Sequence, residues 1–441
     1  MTRNKDRRRW LPPGRHRDDR AIVALAVPAL AALAADPLYS LADTAFVGNL
    51  GTAELGAVAV GTAAFTASFW LFSFLAYGVT PRVARALGAQ DRVEADRIGV
   101  QALLLAVGIG VTVSILGVAL AGPIVRLLGA SGDVALHAEP YLRVRVLSST
   151  AVLVGQVGHG WLRGAQDTRT PMYVATAGAL ANVVLDYVLI YPAGLGVVGA
   201  AWATVIGQGG VAMAFVFVLL RRMHRPRWTF EWHTARSLIK VGVELAIRTG
   251  ALLAGLTIAT SVAARMGEVE LASWQIAMQV FLLLALTLDS VAIAAQALIG
   301  KRLGAAGPIS SRELSTRLMS WGLGLGLVLC LVLVGITRPV SGIFSDDVRV
   351  IASAAGLLMW LAFVQPLSAV AFTLDGILIG ASDTRFLAVS MAASSLLFIT
   401  ISLTALRQDW GTAGLAAGAT VWILVRVMTT GVRWWGGRWA H

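Results

Sequence analysis

The chain has little charge and almost no cysteine. Charged residues make up 14% of its 441 positions, against roughly 25% in a soluble globular protein. The one cysteine, Cys330, lies in an apolar run, which excludes a disulfide framework and a cysteine-built metal site. The histidines His137, His159, His224 and His233 are expected at span ends or in loops, and they show no metal-ligand spacing. There is no phosphate-binding loop with its lysine and no Gly-x-Ser-x-Gly elbow, so ATP-driven work is not expected. No cofactor and no firm metal site is called for.

What the chain has is apolar length. Hydrophobic residues are 57% of the total and the mean hydropathy is +0.74. Twelve apolar spans are predicted, near 21–47, 57–80, 98–122, 138–162, 171–192, 197–221, 236–263, 271–297, 313–337, 350–378, 386–406 and 412–432. Each is long enough to cross a hydrocarbon layer of about 30 Å as a helix. The fold class is therefore an all-α polytopic membrane protein. The net charge of +12 does not point to nucleic acid, because the basic residues sit in the short connections between spans. With the N terminus inside, 27 Lys and Arg fall on the inner side and seven on the outer: Arg126, Arg143, Arg145, Arg265, Arg338, Arg349 and Arg407. That asymmetry predicts both termini in the cytoplasm of a plasma (inner) membrane protein. Residues 1–20 form a basic tail that meets anionic lipid rather than a cleaved signal. Trp434, Trp435 and Trp439 read as an interfacial belt.

An internal repeat organises the spans. At an offset of 216, Leu162, Gly164, Ala165, Asp167, Thr168 and Arg169 fall on Leu378, Gly380, Ala381, Asp383, Thr384 and Arg385. Leu87-Gly88-Ala89 falls on Leu303-Gly304-Ala305, and Gly51, Glu54 and Leu55 on Gly267, Glu270 and Leu271. Six spans per copy is an even number, so both copies enter the membrane from one side. The expected architecture is two six-helix bundles related by a pseudo-two-fold axis along the membrane normal. The lobes are 21–225 and 236–441, joined by a charged linker at 226–235. Two such lobes enclose a cleft that rocking exposes to alternate sides, which suits a transporter.

Chemistry is expected in the first lobe. The run from Ala21 to Leu50 holds Asp36 and Asp43, seven residues apart and on one helix face, with Pro28 and Pro37 inviting a bend. A carboxylate within a bilayer costs roughly 2.5–3.5 kcal/mol on insertion scales, so it calls for a proton, a partner or a wet cavity. In the fifth span, Asn182 and Asp186 share a face, and Thr204 in the sixth follows the small residues Gly199, Ala200 and Ala201. Asp43, Asn182 and Asp186 fall on Ala259, Phe398 and Ser402 of the second copy, so ionisable chemistry is expected mainly in the first. Such an acid could carry H+, the expected coupling ion, or Na+ could be held by carboxylate and carbonyl oxygens, and the sequence does not separate the two. In the second lobe Glu244, Arg248, Asp289 and Asp375 read as a structural Arg–carboxylate pairing, with Gln275 and Gln279 as further polar groups of the cleft.

These residues resemble the multidrug and toxic compound extrusion (MATE) family, in its DinF-like branch. The resemblance covers residues 20–435. It rests on Pro37-Leu38, Asp43-Thr44 and Val47-Gly48, on Leu162-x-Gly164-x-x-Asp167-Thr168-Arg169, and on Asn182 with Leu185-Asp186. In the second half it rests on Arg248-Thr249, Arg265-x-Gly267, Leu271-Ala272 with Gln275, and Asp375-Gly376 with Ile379-Gly380. It implies a cation-coupled antiporter, acting as a monomer, that expels amphipathic and often cationic small molecules. It also implies that Asp43, Asn182, Asp186 and Thr204 form the coupling cluster, with protonation linked to bending of the first helix. Asp36 is an additional acid, Trp274 replaces a small polar residue, and Gln296 stands where relatives have an acid. Two other readings use the same residues. A lipid flippase needs basic residues in the cleft, and Arg248 and Arg426 are the ones within spans. An intramembrane enzyme needs a pair such as His159 with Asp375, which coincide across the repeat.

Overall fold

A computed structural model describes residues 17–70, 74–224 and 226–440, the side chains at 17, 36, 67–70 and 74 excepted. The basic tail before Arg17 and the side chain of Asp36 lie outside the described residues. The described residues form helices and no strand. The first lobe holds α1 (Arg17–Gly48), α2 (Thr52–Trp70), α3 (Phe74–Gly88), α4 (Arg92–Leu127), α5 (Gly132–Arg145), α6 (Ser149–Gly164), α7 (Arg169–Ile190) and α8 (Gly196–Arg222). The second holds α9 (Trp232–Met266), α10 (Glu268–Phe344), α11 (Val348–Gly380), α12 (Thr384–Arg407) and α13 (Gly411–Trp435).

Twelve crossings result, but not as twelve separate rods. Most of α2 and the start of α3 both fall within the second predicted span. The fourth is broken by a 3₁₀ turn at Val146–Ser148 between α5 and α6. There the hydroxyls of Ser148 and Ser149 bond back to the carbonyls of Arg145 (2.7 Å) and Val146 (2.6 Å), competing with the helix's own ladder. The eighth and ninth spans, expected to be joined by a loop, are two arms of α10. Their sharp kink is at Gly307, whose φ of +72° suits a residue without Cβ.

The repeat is written into the backbone. The first copy of Leu-x-Gly-x-x-Asp-Thr-Arg ends α6 and the second ends α11. Gln166 (φ +61°) and Ser382 (φ +64°) take the left-handed conformation at equivalent places. The next amides, of Asp167 and Asp383, reach back to the carbonyls of Leu162 (2.8 Å) and Leu378 (2.9 Å), closing the same C-terminal motif twice. Each aspartate then binds the last helix of its lobe: Asp167 pairs with Arg222 (2.7 Å) and Asp383 with Arg433 (2.6 Å). Partial burial pushes the Asp167 carboxyl up, but two hydrogen bonds from Thr170, together with Arg222, outweigh it and hold the carboxyl below its ordinary range. This contribution is therefore intact at neutral pH and is lost only as acid titrates the group through that lowered value.

The two lobes meet at the end of the molecule that carries the start of α1 and the end of α13. Here α3 and α10 approach so closely that a Cβ on Gly88 would sit 2.2 Å from the Lys301 carbonyl oxygen, and one on Gly304 would sit 2.1 Å from that of Arg85. Arg85 and Lys301 are themselves 216 residues apart, so the two contacts are one contact related by the pseudo-two-fold axis. Inside each lobe the same offset holds: Gly160 packs on the Ala76 backbone as Gly376 packs on that of Ala292.

α1 belongs to both lobes. Ile22, Leu25 and Ala26 pack into an apolar core with Leu298, Leu318 and Leu378 of the second lobe. Asp19 accepts hydrogen bonds from Arg317 (2.6 and 2.7 Å) and Trp321 (2.7 Å), and Asp18 pairs with Arg302 (2.8 Å). The helix runs unbroken through Pro28 and Pro37. Pro28 has no N–H for the carbonyl of Ala24, and the Thr168 hydroxyl takes that carbonyl instead at 3.4 Å. Toward the far end α1 packs on α7, where the Tyr191 hydroxyl bonds the Phe46 carbonyl (2.7 Å).

One expectation about the surface is corrected. Trp439 is 2% exposed and donates to the Trp434 carbonyl (2.9 Å), and Trp434 donates to Ser315 (2.8 Å). Of the expected tryptophan belt, only Trp435 stays exposed. The connection before Trp232 is pinned rather than loose. Gln101 of α4 donates to the Thr229 carbonyl (2.6 Å) and accepts from the Glu231 amide (3.0 Å), and Asp96 accepts from the His224 amide (2.8 Å).

Candidate functional site

The first lobe buries four polar side chains from three helices. Asp43 of α1, Asn182 and Asp186 of α7, and Thr204 of α8 are all at most 8% exposed. The four-residue spacing of Asn182 and Asp186 brings them into contact: the amide donates to Asp186 Oδ2 at 2.7 Å. Small residues admit α8. A Cβ on Gly199 would meet the Leu189 carbonyl oxygen at 2.6 Å, and one on Gly207 would meet Asn182 Oδ1 at 3.1 Å. The Thr204 hydroxyl turns back to the Ala200 carbonyl (3.2 Å). Asp43 and Asp186 act on each other electrostatically. One oxygen of each, Asp43 Oδ1 and Asp186 Oδ1, is buried without a hydrogen-bond partner. Such groups are rare in folded proteins and mark a place where a proton, ion or ligand belongs.

A cavity of about 90 Å³ opens at Asn182, the donor to Asp186, and is lined also by Tyr39, Gln156, His159 and Gln208 among others. That is room for a few waters. His159 is not at a span end as expected. It lies within α6, against Phe215 at 4.8 Å, with Nδ1 buried and unpartnered.

At the equivalent place the second lobe is apolar. Phe398, the counterpart of Asn182, stacks on Trp422 at 5.8 Å and is packed by Gly255 and Gly418. The second lobe carries charge elsewhere, where an Arg–carboxylate pairing was expected. Arg248 binds Asp375 at 2.5 Å and Arg426 binds the same oxygen at 2.8 Å. Asp289 is held instead by the Tyr77 hydroxyl of the first lobe (3.1 Å). Glu244 accepts from Thr384. Gln275 and Gln279 are exposed on α10 and stand outside this cluster. Trp274 is fully buried and donates to Thr260 (3.1 Å), a packing role. His159 and Asp375 are not one site. The histidine faces Phe215 in the first lobe, and the aspartate is clamped by two guanidiniums in the second. Asp375→Ala would leave both arginines buried without their counter-charge. The expected cost is about 3–5 kcal/mol, read as a lowered unfolding temperature in detergent, with Phe398→Leu in the apolar counterpart losing less.

Arg145 is the residue that sequence reasoning missed. Counted there as an outer-loop charge, it is 8% exposed. Its guanidinium lies over the Phe65 ring, 4.4 Å from the centroid. Its position inside the predicted span 138–162 was the available signal, because a charge within a span must turn toward protein or water.

Comparison with known proteins agrees with this architecture. The family model described as MatE matches twice, at residues 28–188 and 251–404, together well over half of the chain. The chain is 33% identical to Protein DETOXIFICATION 44, chloroplastic, of Arabidopsis thaliana, over 94% of this chain and 82% of that protein. It is 29% identical to DNA damage-inducible protein F of Escherichia coli K12, over 94% and 92%. It is 26% identical to the multidrug resistance protein MdtK of Edwardsiella ictaluri, over 84% and 83%. Among solved structures, a MATE protein in a bent conformation superposes with a TM-score of 0.87 at 22% identity, covering 96% of each chain. Two lobes of one duplicated design, an acid-bearing first lobe and this set of likenesses lead to one assignment: the chain belongs to the MATE family of membrane transporters.

Proposed function

We propose that this protein is a proton-coupled antiporter that exports amphipathic, often cationic, small molecules by alternating access. Lobes 21–225 and 236–441 rock about the linker at 226–235. Both termini are cytoplasmic and the membrane is the inner membrane. The observation that carries the reading is the set of two buried carboxylates, Asp43 on α1 and Asp186 on α7, each with an unpartnered oxygen, with Asn182, the donor to Asp186, lining a cavity. Two carboxylates so placed favour uptake of a positive charge, and a proton is the smallest that fits. The contacts that join the lobes cluster at the cytoplasmic end, so this conformation is sealed there. Coupling follows if the proton and the substrate favour different states by a few kcal/mol. The multidrug names of relatives such as MdtK support an amphipathic substrate class.

The flippase reading loses ground, since Arg248 and Arg426 are both taken up by Asp375. The test is transport in proteoliposomes with proton and sodium gradients imposed separately, against a panel of cationic dyes and fluorescent lipids. Dye movement driven by the proton gradient is expected. Lipid movement that depends on neither gradient would overturn the proposal.

A further inference from the structure

An arginine buried in the outer half of the first lobe needs an explanation, because burying a guanidinium is costly unless charge and hydrogen bonds compensate it. Arg145 sits at the last position of α5, where the serine-locked 3₁₀ turn at 146–148 redirects the chain. Its polar contacts are few. It bonds Tyr39 of α1, and Nη1 lies 3.4 Å from Ser148 Oγ. Phe65 of α2 covers one face, and Tyr141 lies one turn earlier on its own helix. Phe65 and Tyr39 line the same cavity as Asn182, which donates to Asp186 of α7, and Asp43 follows Tyr39 by one turn of α1; both carboxylates therefore neighbour the guanidinium, without a direct ion pair. Arg145 Nε is buried and unpartnered, as are Asp43 Oδ1 and Asp186 Oδ1.

These groups form one charge cluster: two carboxylates, one guanidinium, and an orphaned atom on each. We propose that Arg145 is a resident counter-cation of the Asp43–Asp186 site, fixing its capacity at one further positive charge and excluding Na+ in favour of the proton. The inference rests on the reading of Asp43 and Asp186 as the ion-carrying pair. With both acids ionised and Arg145 in place, the cluster carries a net charge of −1, and one proton brings it to neutrality. Without Arg145 the same acids carry −2, a charge that suits a bound metal cation. A proton bonds covalently to one oxygen and needs no coordination shell. Na+ needs several oxygens and must approach a fixed positive charge. Tyr39 ties the guanidinium to α1 one turn before Asp43, so the counter-charge stays with the acid on that helix.

The experiment uses the full chain, purified, as wild type, Arg145→Gln, Arg145→Lys and the double variant Arg145→Gln/Asp43→Asn. Thermal unfolding is followed in NaCl against choline chloride, and transport is driven by a sodium gradient in proteoliposomes. Wild type and Arg145→Lys should not distinguish the two salts. Arg145→Gln should gain a Na+-dependent rise in unfolding temperature, with Na+ affinity up about 30-fold, the effect of one unit charge roughly 8 Å away at an effective dielectric near 20. The double variant should lose that gain. An Arg145→Gln protein indifferent to Na+ overturns the proposal. So does a wild type, or an Arg145→Lys protein, that Na+ stabilises or drives, and these two tests stand even if Arg145→Gln does not fold. Proton-driven transport surviving in Asp43→Asn and Asp186→Asn would instead sink the site reading itself, a separate and distinguishable result.

Discussion

Asp43→Asn should abolish dye efflux driven by a proton gradient, a loss of at least about 100-fold, while leaving dye binding measurable. The amide keeps the size of the side chain but cannot gain or lose a proton at working pH. A ligand shifts a two-state equilibrium only by its difference in affinity for the two states, and 100-fold corresponds to about 2.7 kcal/mol. Removing the titrating group removes that difference. Asp186→Asn should behave likewise. Asn182 donates to Asp186 Oδ2, and an amide at 186 can present its own carbonyl oxygen to the same donor, so the fold should survive. The measurement is efflux from proteoliposomes at a fixed pH step, with unfolding temperatures to show that each variant is folded. Wild-type rates in both variants would remove the carboxylate pair from the mechanism.

Gly304→Ala should part the lobes at the α3–α10 seam, the end that the proposed topology places in the cytoplasm. The added Cβ would sit 2.1 Å from the Arg85 carbonyl oxygen, far inside contact distance, and the listener to that clash is backbone on both sides. Two rigid helices cannot absorb it by a rotamer change, so the lobes must part. Gly88→Ala makes the same wedge at the symmetric position, against Lys301. The predicted readout is labelling of a cysteine placed at Ser237, on α9, by a membrane-impermeant maleimide from the cytoplasmic side, with Cys330 replaced by alanine. Ser237 is now engaged by Arg82 through its carbonyl (2.9 Å) and its hydroxyl (2.8 Å). Labelling at least about 10-fold faster than in the parent is expected, a shift of about 1.4 kcal/mol toward the open state. Gly324→Ala, on the same helix but with open space around the added carbon, is the control. Equal labelling in Gly304→Ala and the control would show that the α3–α10 contact does not gate this end.

Part of the site was legible because its signals are local. Asp43 and Asp186 stand out in apolar runs, and the four-residue step from Asn182 to Asp186 puts both on one helix face. Other residues were placed wrongly for a common reason. Arg145 and His159 lie close to the expected ends of the fourth span, and hydropathy cannot say whether a residue near such an end faces water or turns inward. Asp289 and Asp375 were both visible as acids, but the choice between them as partner for Arg248 depends on how α9, α10, α11 and α13 pack. Charge chooses its partner through space, and the winner here has two guanidiniums on one carboxylate oxygen.

The repeat shows the same division most clearly. Sequence by itself determined the crossings, the duplication at an offset of 216 and the confinement of the Asp43–Asn182–Asp186 set to one copy, because burial in a bilayer leaves its mark on every residue of a span. Only the tertiary structure decided what the repeated Leu-Gly-Ala is for. Gly88 and Gly304 look alike in one dimension, and it is the packing of α3 against α10 that sets each against the other copy's backbone and makes the pair the seam between the lobes. Which helices touch is settled by shape over the whole bundle, a quantity that no single stretch of chain carries.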